Sequence, residues 1–116
     1  MKLGQPTQAI SDYTKAIELN QKYIQLNPKL AQVYSNRGVA YAKLGQHTQA
    51  ISDYTRAIEL NPKDAEAYYN RGVAYATLGK PEEAKKDLLK VVELDPASKA
   101  LVKRISDHFK LDLRLD

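Results

Sequence analysis

The chain has 116 residues, 43% hydrophobic and 28% charged, enough for one domain with one core and too apolar for a disordered segment. There is no cysteine, which excludes disulfide frameworks and thiolate metal sites. The net charge of +4 is spread as basic residues interleaved with acidic ones, a solvated surface rather than a nucleic-acid stripe, and no apolar run is long enough for a signal peptide or a membrane span. A cytoplasmic location is the default expectation.

The first element is irregular. Residues 3–20 match residues 44–61 at 16 of 18 positions, at an offset of 41. The segment Ile17-Glu18-Leu19-Asn20 then recurs as Ile24-Gln25-Leu26-Asn27, with no Gly or Pro between the copies. Seven residues are almost two helical turns, so the apolar face drifts only ~20° across the insert. One long helix is therefore expected from about Thr7 to Asn27, stopped near Pro28, with ~10 Å contributed by the insert. Its apolar face carries Ala9, Ile10, Tyr13, Ala16, Ile17 and Ile24. An uncovered face of this kind marks self-association, and a homodimer through the long helix, side by side or swapped, is the expectation.

The next two elements form a unit. Residues 31–44 place Val33, Tyr34, Ala40, Tyr41 and Leu44 near helical spacing, and Gly45 ends that helix. Residues 47–60 carry a second stripe, Ala50, Ile51, Tyr54, Ala57 and Ile58, before Pro62. The unit repeats: residues 31–62 and 65–96 are identical at 16 of 32 positions, at an offset of 34. Pro81 opens the last helix of the second copy, where its missing N–H costs nothing. Gly38 with Ala50, and Gly72 with Ala84, let the helices of a unit approach closely. After Pro96, Ser98 reads as an N-cap and Leu101, Ile105 and Phe109 share one face, a lone helix over 97–110 that closes the open end. Residues 111–116 alternate with period two and are expected to be extended or frayed, with occupation of a neighbouring copy's groove as a further possibility.

These spacings resemble the tetratricopeptide repeat (TPR) family. The signature positions are Tyr34, Gly38, Tyr41, Ala50, Tyr54, Ala57 and Pro62, then Tyr68, Gly72, Tyr75, Ala84, Leu88, Val91 and Pro96. Two features depart from the pattern: Arg37 and Arg71 precede the glycines in place of Leu, and Leu88 and Val91 occupy the last helix of the second repeat. An arginine stem is expected to pack in a groove while its head reaches water. The resemblance implies an all-α solenoid of antiparallel helix pairs in a right-handed superhelix. The domain runs over residues 1–116: a partial repeat (1–28), repeats at 31–62 and 65–96, a capping helix (97–110) and a tail.

The resemblance also implies a concave groove for a peptide or partner helix. By position its lining is Gln32, Ser35, Asn36, Val39, Ala42 and Lys43, then Glu66, Tyr69, Asn70, Val73, Ala76 and Thr77. Asn36 and Asn70 are the leading candidates, since one amide both donates to and accepts from a peptide backbone. The Lys/Asn/Arg carboxylate clamp of some family members is incomplete, with Glu66 at a position that would need a base, which disfavours chaperone tails.

Nothing points to catalysis. His47 and His108 lack ligand-spaced partners, Glu82 and Glu83 suit the start of a helix, and the serines lack a nucleophile context. No cofactor or metal is expected. The chain reads as a protein-interaction scaffold, with a self-associating structural unit as the alternative and nucleic-acid binding as a remote third.

Overall fold

A computed structural model describes residues 4–21 and 29–115. These residues form helices α1 (Gly4–Gln21), α2 (Lys29–Lys43), α3 (His47–Leu60), α4 (Ala65–Thr77), α5 (Pro81–Leu94) and α6 (Lys99–His108), with a 3₁₀ turn over Pro96–Ser98 and no strand among them. α2 packs on α3 and α4 on α5, giving two helical hairpins; α1 packs on α2, and α3 on α4.

Local chemistry sets the helix ends. Gly45 has φ +75°, so the Gln46 N–H reaches the Tyr41 carbonyl and the Gly45 N–H that of Ala42, both at 2.9 Å. This pair satisfies the last carbonyls of α2, and only glycine takes that φ without strain. Gly79 repeats it for α4 at the same φ, with Lys80 donating to Tyr75 at 2.9 Å. Asp64 caps α4 by accepting from the N–H groups of Glu66 and Ala67. Pro81 stands at the start of α5, followed by Glu82 and Glu83 in its first turn, which suits the helix dipole.

The core runs along the stack. Ile17, Leu30, Tyr34, Ala57, Ile58 and Ala67 form one cluster; Ala50, Tyr54 and Ala74 form a second. A third joins Ala84, Leu88, Val91 and Val102 to Leu111 and Leu113.

Several expectations change. α1 starts at Gly4 rather than near Thr7. The extension to Asn27, and with it Ile24, lies outside the described residues. Ile17 is 4% exposed and packed with Leu30 and Tyr34, so it belongs to the chain's own core and not to a self-association face. Ser98 does not cap α6: its hydroxyl donates to the Asp95 carboxylate at 2.7 Å, because the preceding 3₁₀ turn brings those side chains together. The inward face of α6 carries Val102 and Ser106 with Ile105 and Phe109 packed beside them, and it leaves Leu101 exposed.

The tail is packed rather than frayed. Leu111 and Leu113 are buried against Ala84, Leu88, Val91 and Val102, while Asp112 and Arg114 face out, so the period-two pattern survives as in-out alternation. Lys110 has φ 58°, and the Leu111 N–H reaches the Ser106 carbonyl at 2.8 Å, a glycine-type helix stop made with a lysine. The left-handed lysine costs roughly 1–2 kcal/mol. Burying two leucines at about 1.5–3 kcal/mol each outweighs it. With its leucines committed to its own core, the tail has no apolar face left for a neighbour's groove.

Candidate peptide-binding groove

Two side-chain interlocks fix the frame of the groove. Arg37 of α2 donates to both carboxylate oxygens of Asp53 on α3, at 2.8 and 2.7 Å, and to the Thr14 hydroxyl on α1 at 3.0 Å. Arg71 of α4 repeats this with Asp87 at 2.8 and 2.7 Å and with Thr55 at 3.2 Å. Each guanidinium also lies 5.7–5.8 Å from two tyrosine ring centroids, Tyr34 and Tyr41 in the first case, Tyr68 and Tyr75 in the second. The arginine heads are therefore not freely solvated as expected; they are half-buried and turned onto the carboxylates of Asp53 and Asp87, each 3% exposed. Both guanidiniums are held above their ordinary pKa, chiefly by the hydrogen bond to the aspartate, against the opposing effect of burial. A signal for the pairing was present in the repeat alignment: Arg and Asp recur at the same sixteen-residue separation in both units.

With α2 and α4 fixed this way, two clefts open along one face. The first, about 420 Å³, lies between α1 and α2 and reaches α4; Pro6, Ala9 and Tyr13 form one wall, and Asn36, Val39, Lys43 and Glu66 another. The second, about 280 Å³, is bounded by Val39, Ala42 and Lys43 of α2 and by Tyr69, Asn70, Val73 and Thr77 of α4, with His47 and Tyr54 at its base. The clefts are repeat equivalents. Pro6, Tyr13, Asn36, Val39 and Lys43 of the first correspond to His47, Tyr54, Asn70, Val73 and Thr77 of the second.

Nine of the twelve groove candidates line these clefts: Asn36, Val39, Ala42, Lys43, Glu66, Tyr69, Asn70, Val73 and Thr77. Gln32 is exposed outside them, and its amide donates to the Asn36 carbonyl oxygen at 2.9 Å. That contact leaves the Asn36 amino group as the end available to a ligand. Ser35 is 2% exposed and is removed from the candidate lining. His47 and Tyr54 were missed as lining residues, because their spacing reads as a helix start and a core aromatic. The Tyr54 phenol is pushed up to about 12, first by burial and then by the carboxylates of Asp53 and Glu66. Of the α1 candidates, Ala9 and Tyr13 face the first cleft, while Ile10 and Ala16 are half-buried. Among the described residues, no group of three or more His, Asp or Glu could hold a metal ion, and no helix is long and apolar enough to cross a membrane.

Family profiles described as tetratricopeptide repeat match residues 1–23, 19–52 and 65–98, and one described as TPR repeat matches residues 40–79. Among solved structures, the first TPR of Spaghetti (RPAP3) bound to an HSP90 peptide is 34% identical, with 92% of this chain and 82% of that one covered and a TM-score of 0.75. The chain belongs to the tetratricopeptide repeat family. The second TPR domain of human RPAP3, in complex with an HSP70 peptide, is 33% identical at a TM-score of 0.79, and the Arabidopsis OM64 TPR domain 32% identical at 0.79; each match covers 92% of this chain and 82% of the other. A search of curated proteins gave no match. In this TPR chain α2–α3 and α4–α5 are antiparallel helix pairs, with α1 packed on α2.

Proposed function

We propose that this TPR chain is a protein-interaction module that holds an extended peptide along the face made by α2 and α4. The observation that carries the reading is the repetition of the groove: Asn36 and Asn70, and Val39 and Val73, occupy equivalent places in two adjoining clefts. A peptide backbone crossing both would meet the same amide twice, one repeat apart, while its side chains fill the apolar floor made by Val39, Tyr54, Tyr69 and Val73. The peptide-bound relatives support this mode of use. Glu66 borders the first cleft and disfavours an acidic ligand group there, whereas Lys43, between the clefts, favours one.

The test is selection from a random peptide library, followed by fluorescence anisotropy on the wild type and an Asn36→Ala/Asn70→Ala double variant. Two lost hydrogen bonds at roughly 1 kcal/mol each correspond to about tenfold or more in affinity. Selected peptides that bind the double variant as tightly as the wild type would refute the reading.

A further inference from the structure

A third cleft, of about 200 Å³, opens where α4, α5 and α6 meet. Tyr69 of α4, Val91 of α5 and Leu101 of α6 give it apolar walls, and Glu66 and Asp95 stand among them. It adjoins both of the others, sharing Glu66 with the first and Tyr69 with the second. Its lining lies between residues 65 and 101, with described chain on both sides. The preceding junction, of α2, α3 and α4, carries Gln32, Ser35, Ala57, Asn61 and Ala67 at the equivalent positions. There Ser35, Ala57 and Ala67 are at most 2% exposed, so the junction is packed shut. One repeat on, Tyr69 stands in place of Ser35, Leu101 stands in place of Ala67 and is 41% exposed, and the two amides become carboxylates.

The chemistry of this cleft selects its occupant. Asp95 accepts the Ser98 hydroxyl at 2.7 Å. Neither Asp95 nor Glu66 is ion-paired among the described residues. No Lys, Arg or His of those residues lines the cleft. A purely apolar side chain seated here would take water from two carboxylates without replacing its hydrogen bonds, which is unfavourable. A long cationic side chain satisfies both halves: its stem packs on the apolar walls and its head donates to the carboxylates. We propose that the third cleft takes a lysine or arginine side chain of the bound peptide, with the stem between Tyr69, Val91 and Leu101 and the cationic head at Glu66 and Asp95. This specificity rests on peptide binding along α2 and α4, and adds a residue class to it. It is local in origin, since the net charge of +4 works against basic ligands at long range.

The probe is the random peptide library, selected in parallel on the full wild-type chain and on Glu66→Gln/Asp95→Asn, which copies Gln32 and Asn61 of the earlier junction. Both substitutions keep the shape of the side chain, and the melting temperature checks that the variant is folded. Wild-type selections are expected to share a lysine or arginine at one position, and selections on the variant to lose it. Replacing that residue by methionine in a selected peptide should weaken binding to the wild type by about fivefold and leave binding to the variant nearly unchanged, a coupling read by fluorescence anisotropy. Selected peptides with no shared basic residue, or a methionine replacement that costs the same on both proteins, overturn the proposal. If such peptides still lose affinity for Asn36→Ala/Asn70→Ala, peptide binding by the asparagines stands without it. Peptides that keep the coupling yet bind Asn36→Ala/Asn70→Ala as tightly as the wild type support the third cleft and refute the asparagine contacts. A library that yields no binder overturns both.

Discussion

The repeats α2–α3 and α4–α5 share their polar interlock to within the last digit of the Arg–Asp distances, 2.8 and 2.7 Å in each. They differ in what lies against the glycine beside the arginine. Gly38 faces the flat ring of Tyr54, with atoms at 2.6 and 2.9 Å from a would-be Cβ, whereas Gly72 faces Leu88 and the Cβ of Asp87 at 3.1–3.2 Å. The ion pair demands one geometry, a planar fork on a planar carboxylate, so it fixes the residues on both sides. The apolar contact demands only volume, and two different side chains supply it.

The largest effect expected tests the shared part. Asp53→Ala and Asp87→Ala each strand a mostly buried guanidinium, and removing one partner of such a pair costs about 3–5 kcal/mol. Urea denaturation should give two losses of similar size; a loss below about 1 kcal/mol in either would show that the interlock is not equivalent in the two repeats. The next tests the difference. Gly38→Ala forces the tyrosine ring aside and should cost roughly 1–3 kcal/mol by overpacking. Gly72→Ala meets Leu88 and the Cβ of Asp87 at 3.1–3.2 Å, a milder crowding, and the gain in helix propensity of about 1 kcal/mol offsets most of it. Equal melting-temperature losses in the two variants would break the contrast. The smallest concerns the tyrosine itself. Its folded pKa of about 12 lies above the ordinary value of 10.0, so the folded state holds the proton more tightly. Stability is unaffected below pH ~10 and falls as pH rises toward 12, by roughly 1 kcal/mol at pH 11. Tyr54→Leu, which copies the second repeat, should flatten that slope in denaturation curves.

What could be read beforehand divides along similar lines. Helix ends were legible where a backbone rule was read, as at Gly45 and Pro81. The end of α6 was not, because Lys110 takes a glycine's conformation and only the burial of Leu111 and Leu113 explains why. Of the face read for α6, Ile105 and Phe109 pack on the core while Leu101 is exposed, its place taken by Val102. The two clefts were legible as a set of repeat positions, and nine of the twelve candidates line them. Ser35 failed because residues one apart on a helix point in different directions, and the border between groove and core falls between Ser35 and Asn36. The arginines were read singly, as long side chains with a charged end; their meaning lay in a pair of columns of the alignment taken together.

Each of these arginines touches three consecutive helices. Arg37 joins α1, α2 and α3 through Thr14 and Asp53, and Arg71 joins α3, α4 and α5 through Thr55 and Asp87. The helix α3 is thus held by both. In a linear array, stability divides into the worth of each unit and the coupling between neighbours. Here the coupling is a directional, charge-assisted bond set on top of the apolar contact, so opening one hairpin strips a partner from the next. The consequence is cooperativity: the two hairpins unfold together, and slow hydrogen exchange is to be found across α3, where the two fastenings overlap, rather than at either end.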